Sequence, residues 1–163
     1  IYNTYANDVI EDLKKNKITD TLLEQIPDKP QIYLGMTKKN KKESLTYHLE
    51  EAISGGRESI DANDSIMVIG CRVQSCPEQG FFCVDKKTRK TIFGIGAFFL
   101  DDKFIGDGVV YLFSKDFKDK KDFPQNFIES LPNFTLKFYG TADKTMAEKI
   151  MLLNADNKFS ALN

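Results

Sequence analysis

From Ser65 to Phe113 the chain is a series of apolar, β-branched and aromatic runs cut at short intervals by polar turns. Connections this short cannot hold crossover helices, so the middle of the chain is expected to form an antiparallel sheet. Ile66-Met67-Val68-Ile69 leads into Cys71, and Gly80-Phe81-Phe82-Cys83-Val84 leads away from Cys76. Asp85–Lys90 makes a polar turn, after which Thr91–Leu100 and Phe104–Phe113 form a hairpin around Asp101-Asp102-Lys103. Their β-branched and aromatic content favours strand over helix.

Helical spacing flanks this block. Tyr2, Tyr5, Ala6, Val9, Ile10 and Leu13 recur on one face near the start, and a shorter run of Leu22, Leu23 and Ile26 ends at Pro27. Gln31–Met36 reads as a short strand. Leu45, Leu49, Ala52 and Ile53 mark a second helix closed by Gly55 and Gly56. Further on, Phe123, Phe127, Ile128 and Leu131 suggest a helix capped by Asp122, and Phe134–Tyr139 a strand. Thr145 with Glu148 gives a capping box ahead of a helix on Met146, Ile150, Met151 and Leu153. No repeat or linker divides these pieces. The expectation is one α+β domain over residues 1–163, with helices packed against an antiparallel sheet.

The segment Cys71-Arg72-Val73-Gln74-Ser75-Cys76 stands at a strand junction. If the two cysteines are oxidised, the tip becomes a small closed ring. Chain entropy gives so short a ring only about 2 kcal/mol, so its use is to hold a shape rather than the fold. A presented loop is more often a binding device than a reaction centre. The close pair with Cys83 left over suits an oxidising space, whereas in a reducing one all three would be ordinary buried residues. The chain opens on Ile1, which reads as a mature chain freed of an export signal, although an arbitrary boundary would look the same.

Other features read as structure. The single histidine, His48, lies on the helix beside Leu45, Leu49 and Ala52, and a nucleophilic pair with Cys83 lacks a third, orienting group. With one histidine and no Cys-x-x-Cys, no metal site is expected. Gly94-Ile95-Gly96-Ala97 lacks the third glycine and the following helix of a dinucleotide loop, so its glycines are expected to relieve crowding in a strand. Gly106-Asp107-Gly108 reads as a bulge or bend. The Lys38–Lys42 run is offset by Glu43, Glu50 and Glu51 and reads as a solvated loop. Asn63-Asp64-Ser65 and Asn133-Phe134-Thr135 fit the glycosylation triplet. The formal net charge of −1 gives no reason to expect a nucleic acid or an anionic membrane as partner. No apolar run reaches the roughly 20 residues of a membrane span.

An apolar strand, Cys-x-x-x-x-Cys and a returning strand together resemble the Ivy family of periplasmic lysozyme inhibitors. That family carries Cys-Lys-Pro-His-Asp-Cys, a disulfide-closed loop that enters the cleft of C-type lysozyme and sets its histidine between the catalytic carboxylates. Here Cys71 and Cys76 match, Arg72 keeps the positive charge of the lysine, and Val73, Gln74 and Ser75 replace proline, histidine and aspartate. Gln74 can donate and accept hydrogen bonds but cannot become a cation. Arg72 offers a planar fork suited to carboxylates.

The resemblance implies an exported, periplasmic or secreted, non-enzymatic protein without cofactor. Its Cys71–Cys76 disulfide would close a partner-binding loop of Arg72, Val73, Gln74 and Ser75, with Arg72 and Gln74 as anchors. That loop would occlude the active site of a lysozyme or another glycan hydrolase. The alternative is a protein–protein or immunity-type module that uses its sheet or helices and gives the loop no role. A small enzyme built on Cys83 and His48 is the third reading.

Overall fold

The computed structural model describes residues 9–123 and 149–162. Among these residues seven strands lie in one sheet in the order of the chain: β1 (Arg57–Asp61), β2 (Ser65–Arg72), β3 (Ser75–Asp85), β4 (Thr91–Leu100), β5 (Lys103–Phe113), β6 (Ile150–Leu153) and β7 (Phe159–Ala161). Every neighbouring pair is antiparallel except β5 and β6, which run parallel. The mainly antiparallel sheet expected from residues 65–113 is therefore present, with β2 to β5 where the sequence places them.

Side chains alternate across this sheet into two apolar clusters. Ile66, Val68, Phe82, Val84, Phe93, Ile95 and Val109 enter one. Met67, Ile69, Phe81, Ile92, Val110 and Leu112 enter the other. Because β2 and β4 are buried on both faces, they read in sequence as continuous apolar runs rather than as alternation.

Among the described residues helix is sparse: α1 covers residues 9–14, α2 is Asp20–Leu23 and α3 is Leu45–Ala52. Ser44 caps α3, its hydroxyl accepting the Tyr47 N–H at 3.1 Å. Leu45, Leu49, Ala52 and Ile53 then sink into the cluster that contains Val68 and Phe82. The start of the first expected helix lies outside the described residues.

Several expectations are corrected. Gln31–Met36 forms no strand; it makes a single antiparallel bridge, Ile32 to Glu43. The helix expected through Ile150–Leu153 is instead β6, where Ile150 and Leu152 face one cluster and Leu153 the other. A four-residue apolar run satisfies both periods, and pairing with β5 decides it. The helix on Phe127–Leu131 and the strand Phe134–Tyr139 lie outside the described residues. Strands β1 and β7 were not expected, since the polar run Arg57-Glu58-Ser59-Ile60-Asp61 shows no apolar alternation. An edge strand needs little, and β1 is anchored from outside by the Ser59 hydroxyl donating to the Leu13 carbonyl at 2.5 Å.

Both short glycine motifs are structural. Gly94 lies directly across from Phe81, and a Cβ there would stand 2.1 Å from the ring. Gly106-Asp107-Gly108 belongs to a large bulge: between the pairs Ala97–Val109 and Phe99–Phe104, β4 spends one residue while β5 spends four. Gly108, at φ 82°, takes the left-handed turn there.

Candidate functional site

Strands β2 and β3 pair evenly from Ser65–Asp85 to Cys71–Gln79 and then change character. The next pair is Arg72 with Ser75, so Cys76, Pro77 and Glu78 are looped out of β3 opposite nothing on β2. Proline suits that position because no ladder partner awaits its missing N–H. Val73 and Gln74 form the two-residue turn, with Gln74 at a left-handed φ of 62°.

A disulfide joins Cys71 to Cys76, with Cα atoms 4.7 Å apart. It ties the last buried residue of β2 to the exposed bulge of β3. The helix end behind supplies a second brace. The Gly55 N–H donates to the Cys71 carbonyl at 2.8 Å, the Cys71 N–H to the Gly56 carbonyl at 3.2 Å, and the Val73 N–H to the Ser54 hydroxyl at 3.1 Å. No side chain fits at Gly55, where a Cβ would stand 2.9 Å from the Cys71 oxygen. The sequence marked Gly55 and Gly56 as a helix stop; their contact with the tip carries no local signal.

The four loop residues separate into two pairs. Arg72 and Ser75 turn back toward the bulge: the guanidinium donates to Glu78 Oε1 at 2.8 Å and the Ser75 hydroxyl donates to the same oxygen at 2.7 Å. Glu51 of α3 adds a second carboxylate 3.8 Å from Arg72 Nε. Val73 and Gln74 face outward, Val73 being 55% exposed. The outward chemistry is therefore a branched apolar side chain beside a neutral amide, with the cation engaged internally. Sequence reasoning missed Glu78 and Glu51, because a carboxylate two residues past a cysteine is unremarkable until the bulge brings it under the turn.

The other candidates are not brought together. His48 lies on α3 with no exposed surface, and its Nε2–H donates to the Ile32 carbonyl at 2.6 Å. Nδ1 is buried without a partner, and burial pulls the imidazole below its ordinary pKa. Cys83 belongs to the opposite face of the sheet, where burial pushes its thiol up to about 11. A thiol so raised is protonated at neutral pH and makes a poor nucleophile. Lys41 pairs with Glu43 at 3.0 Å. Asn63 stands exposed in the β1–β2 turn, whereas Asn133 lies outside the described residues.

Among the described residues no group of three or more His, Cys, Asp or Glu side chains is placed to hold a metal ion. No helix among them is long and apolar enough to cross a membrane. No family model matches the chain, and no curated protein or solved structure matches it either.

Proposed function

We propose that this chain is a non-enzymatic binding protein of an oxidising compartment, whose Cys71–Cys76 tip enters a cleft on a protein partner and blocks it. The resemblance to the Ivy family names the first target to try, a glycan hydrolase of the lysozyme type. The observation that supports this reading is the double brace of the tip: a disulfide on one side and, on the other, hydrogen bonds with the Ser54 hydroxyl and the Gly55 and Gly56 backbone. A loop held this way loses little conformational entropy on docking, and that saving appears as affinity.

In this reading Val73 fills an apolar recess and the Gln74 amide replaces water on the partner's polar groups. The amide can donate to one carboxylate and accept from a protonated one. Arg72, held by Glu78 and Glu51, positions the turn, and the helix-backed sheet is the scaffold. Occlusion needs no turnover, so no nucleophile or general base is assigned.

The test is inhibition and binding across lysozymes of several types, with the wild-type chain and with Val73→Ala/Gln74→Ala. Inhibition of at least one lysozyme, weakened roughly 100-fold or more by the double substitution, is expected of a central anchor pair. Wild-type protein that binds none of them, or a double variant that binds as well as wild type, refutes the reading.

A further inference from the structure

The sheet ends in a fork at the edge that bears the tip. Pairing between β3 and β4 stops at Gln79–Gly96. Beyond it the β2–β3 hairpin continues to Val73-Gln74 without β4 beside it, and the β4–β5 hairpin continues through Phe99–Phe104 to Asp101-Asp102 without β3 beside it. In an antiparallel meander both turns fall on the same edge, so the two prongs stand side by side. Two strand spacings separate them, about 10 Å.

Each prong carries an apolar side chain in solvent. Among the described residues, large exposed hydrophobics occur at three positions: Phe104 at 67%, Val73 at 55% and Tyr47 at 37%. Two of the three are on this fork. Phe104 is not a loose side chain, because it stacks on Phe98 at 6.2 Å and meets Phe99 edge-on at 5.7 Å. Tyr33 backs Phe99 at 5.2 Å, and the Phe99 ring lies over Gly35, where a Cβ would stand 2.5 Å from it. An aromatic residue held against other rings yet open to water has paid its ordering entropy in advance, the property that makes aromatic residues frequent interface anchors.

The fork is also acidic. Asp101, Asp102 and Asp107 are exposed, and among the described residues they make no ion pair. Lys103 is the cation on that prong, and Lys42 and Lys158 line the cleft that Asp101 and Asp102 border. On the other prong Arg72 is shared between Glu78 and Glu51. The chain as a whole is nearly neutral at −1, so what this prong offers a partner electrostatically is its three carboxylates, none of them in an ion pair among the described residues.

We infer that the Phe104 prong is a second contact for the protein that receives the tip, and that this partner carries a basic rim with an apolar recess beside its cleft. The inference rests on the binding role proposed for the tip and adds the chemistry of the partner surface. Phe104 anchors the second contact, while Asp101, Asp102 and Asp107 steer the approach. Charges at the rim act on the association rate and its salt dependence more than on the final affinity.

Binding to each lysozyme of the panel is measured by surface plasmon resonance at low and physiological salt. Four proteins are compared: wild type, Phe104→Ala, Asp101→Asn/Asp102→Asn and Val73→Ala/Gln74→Ala. Phe104→Ala is expected to weaken binding roughly 10- to 100-fold, mainly by faster dissociation. The Asp101→Asn/Asp102→Asn variant is expected to associate more slowly and to lose most of its salt dependence. Phe104→Thr serves as a second substitution at the same exposed site, and thermal melts confirm folding. Loss of binding in the tip variant, with Phe104→Ala, Phe104→Thr and the Asn variant all within twofold of wild type, overturns this inference and leaves the tip reading intact. A tip variant that binds as wild type does, or a wild type that binds no lysozyme, removes both.

Discussion

Substituting Gly94 by alanine tests the register on which every placement above depends. Gly94 and Phe81 face each other directly, and an ideal Cβ on Gly94 would stand 2.1, 2.5 and 2.6 Å from Cζ, Cε1 and Cε2 of the Phe81 ring. Carbon pairs rest near 3.5–4.0 Å, so the ring must move by more than 1 Å. It has no room to do so, since Phe81 is 2% exposed and lies in the cluster with Met67, Ile69, Ile92 and Leu112. Overpacking of this kind costs about 1–3 kcal/mol. Alanine recovers roughly 0.5 kcal/mol of that, because glycine loses more backbone freedom on folding. The net expectation is a loss of about 1.5 kcal/mol.

The second arm of the cycle removes the ring. Phe81→Ala alone should cost about 4 kcal/mol as a buried cavity. In that background the Gly94 methyl group enters empty space, and Gly94→Ala should become neutral or slightly stabilising. The coupling is then about 2 kcal/mol, well above the few tenths expected for independent sites. Urea denaturation of the four proteins, followed by circular dichroism, gives the values. A Gly94→Ala variant within 0.5 kcal/mol of wild type, or an undiminished penalty in the Phe81→Ala background, refutes the pairing of Gly94 with Phe81, taking ~0.5 kcal/mol as the scatter of additive pairs.

Further outcomes follow from the same contacts. Cys83, raised to about 11 by burial, should resist iodoacetamide at pH 8 in the folded protein and react promptly in urea; rapid labelling of the native chain contradicts the placement. Intact mass should rise by about two daltons on reduction, with the lost bond mapping to Cys71–Cys76, and reduction should lower stability by about 2 kcal/mol at most. His48 is held below 6.5 chiefly by burial, with the Ile32 carbonyl, Glu43 and Glu51 opposing the shift. The unfolded chain therefore binds the proton more readily, and the stabilising contribution of His48 is complete above 6.5 and is lost as pH falls from there toward the folded value. Unfolding free energies at pH 7.5 and 5.5 should show this fall, and His48→Gln should flatten it; an equal slope in the variant assigns the effect elsewhere.

What the sequence displayed and what it hid divide along a physical line. Strands β2 to β5 were legible because β-branched and aromatic runs were separated by turns too short for anything but reversal. Helix α3 was legible through Leu45, Leu49, Ala52 and Ile53 at helical spacing ahead of Gly55 and Gly56. The edge strand β1 was not, because Arg57–Asp61 buries almost nothing and is held by β2 and by residues remote in the chain such as Leu13, Asn16 and Lys86. Ile150–Leu153 was misread because its four apolar residues fit either period and one of its two partners, β5, is remote in sequence. At the tip, the cysteine pair and the exposed Val73-Gln74 turn could be anticipated. The retraction of Arg72 could not, since it depends on a bulge that carries Glu78 under the turn and on a helix end that supplies Glu51. Phe104 was counted as a strand residue, and nothing local distinguishes an aromatic side chain in a core from one on a prong.

The two prongs are stiffened by different chemistry, and this gives a way to separate them without substitution. Past Gln79–Gly96 both hairpins lose a neighbouring strand, so each must replace that constraint from within. The first prong does so with the Cys71–Cys76 bond, assisted by the helix end; the second does so with the rings of Phe98, Phe99, Phe104 and Tyr33. A mild reductant acts on the first and leaves the second untouched. If both prongs touch one partner, reduction should convert a tight complex into a weaker one that still depends on Phe104 and on ionic strength, because ring stacking and carboxylates survive. Reduced protein that binds with full affinity would show that the disulfide does not shape the contact. Complete loss, with no residual effect of Phe104→Ala, would show that the aromatic prong holds nothing by itself.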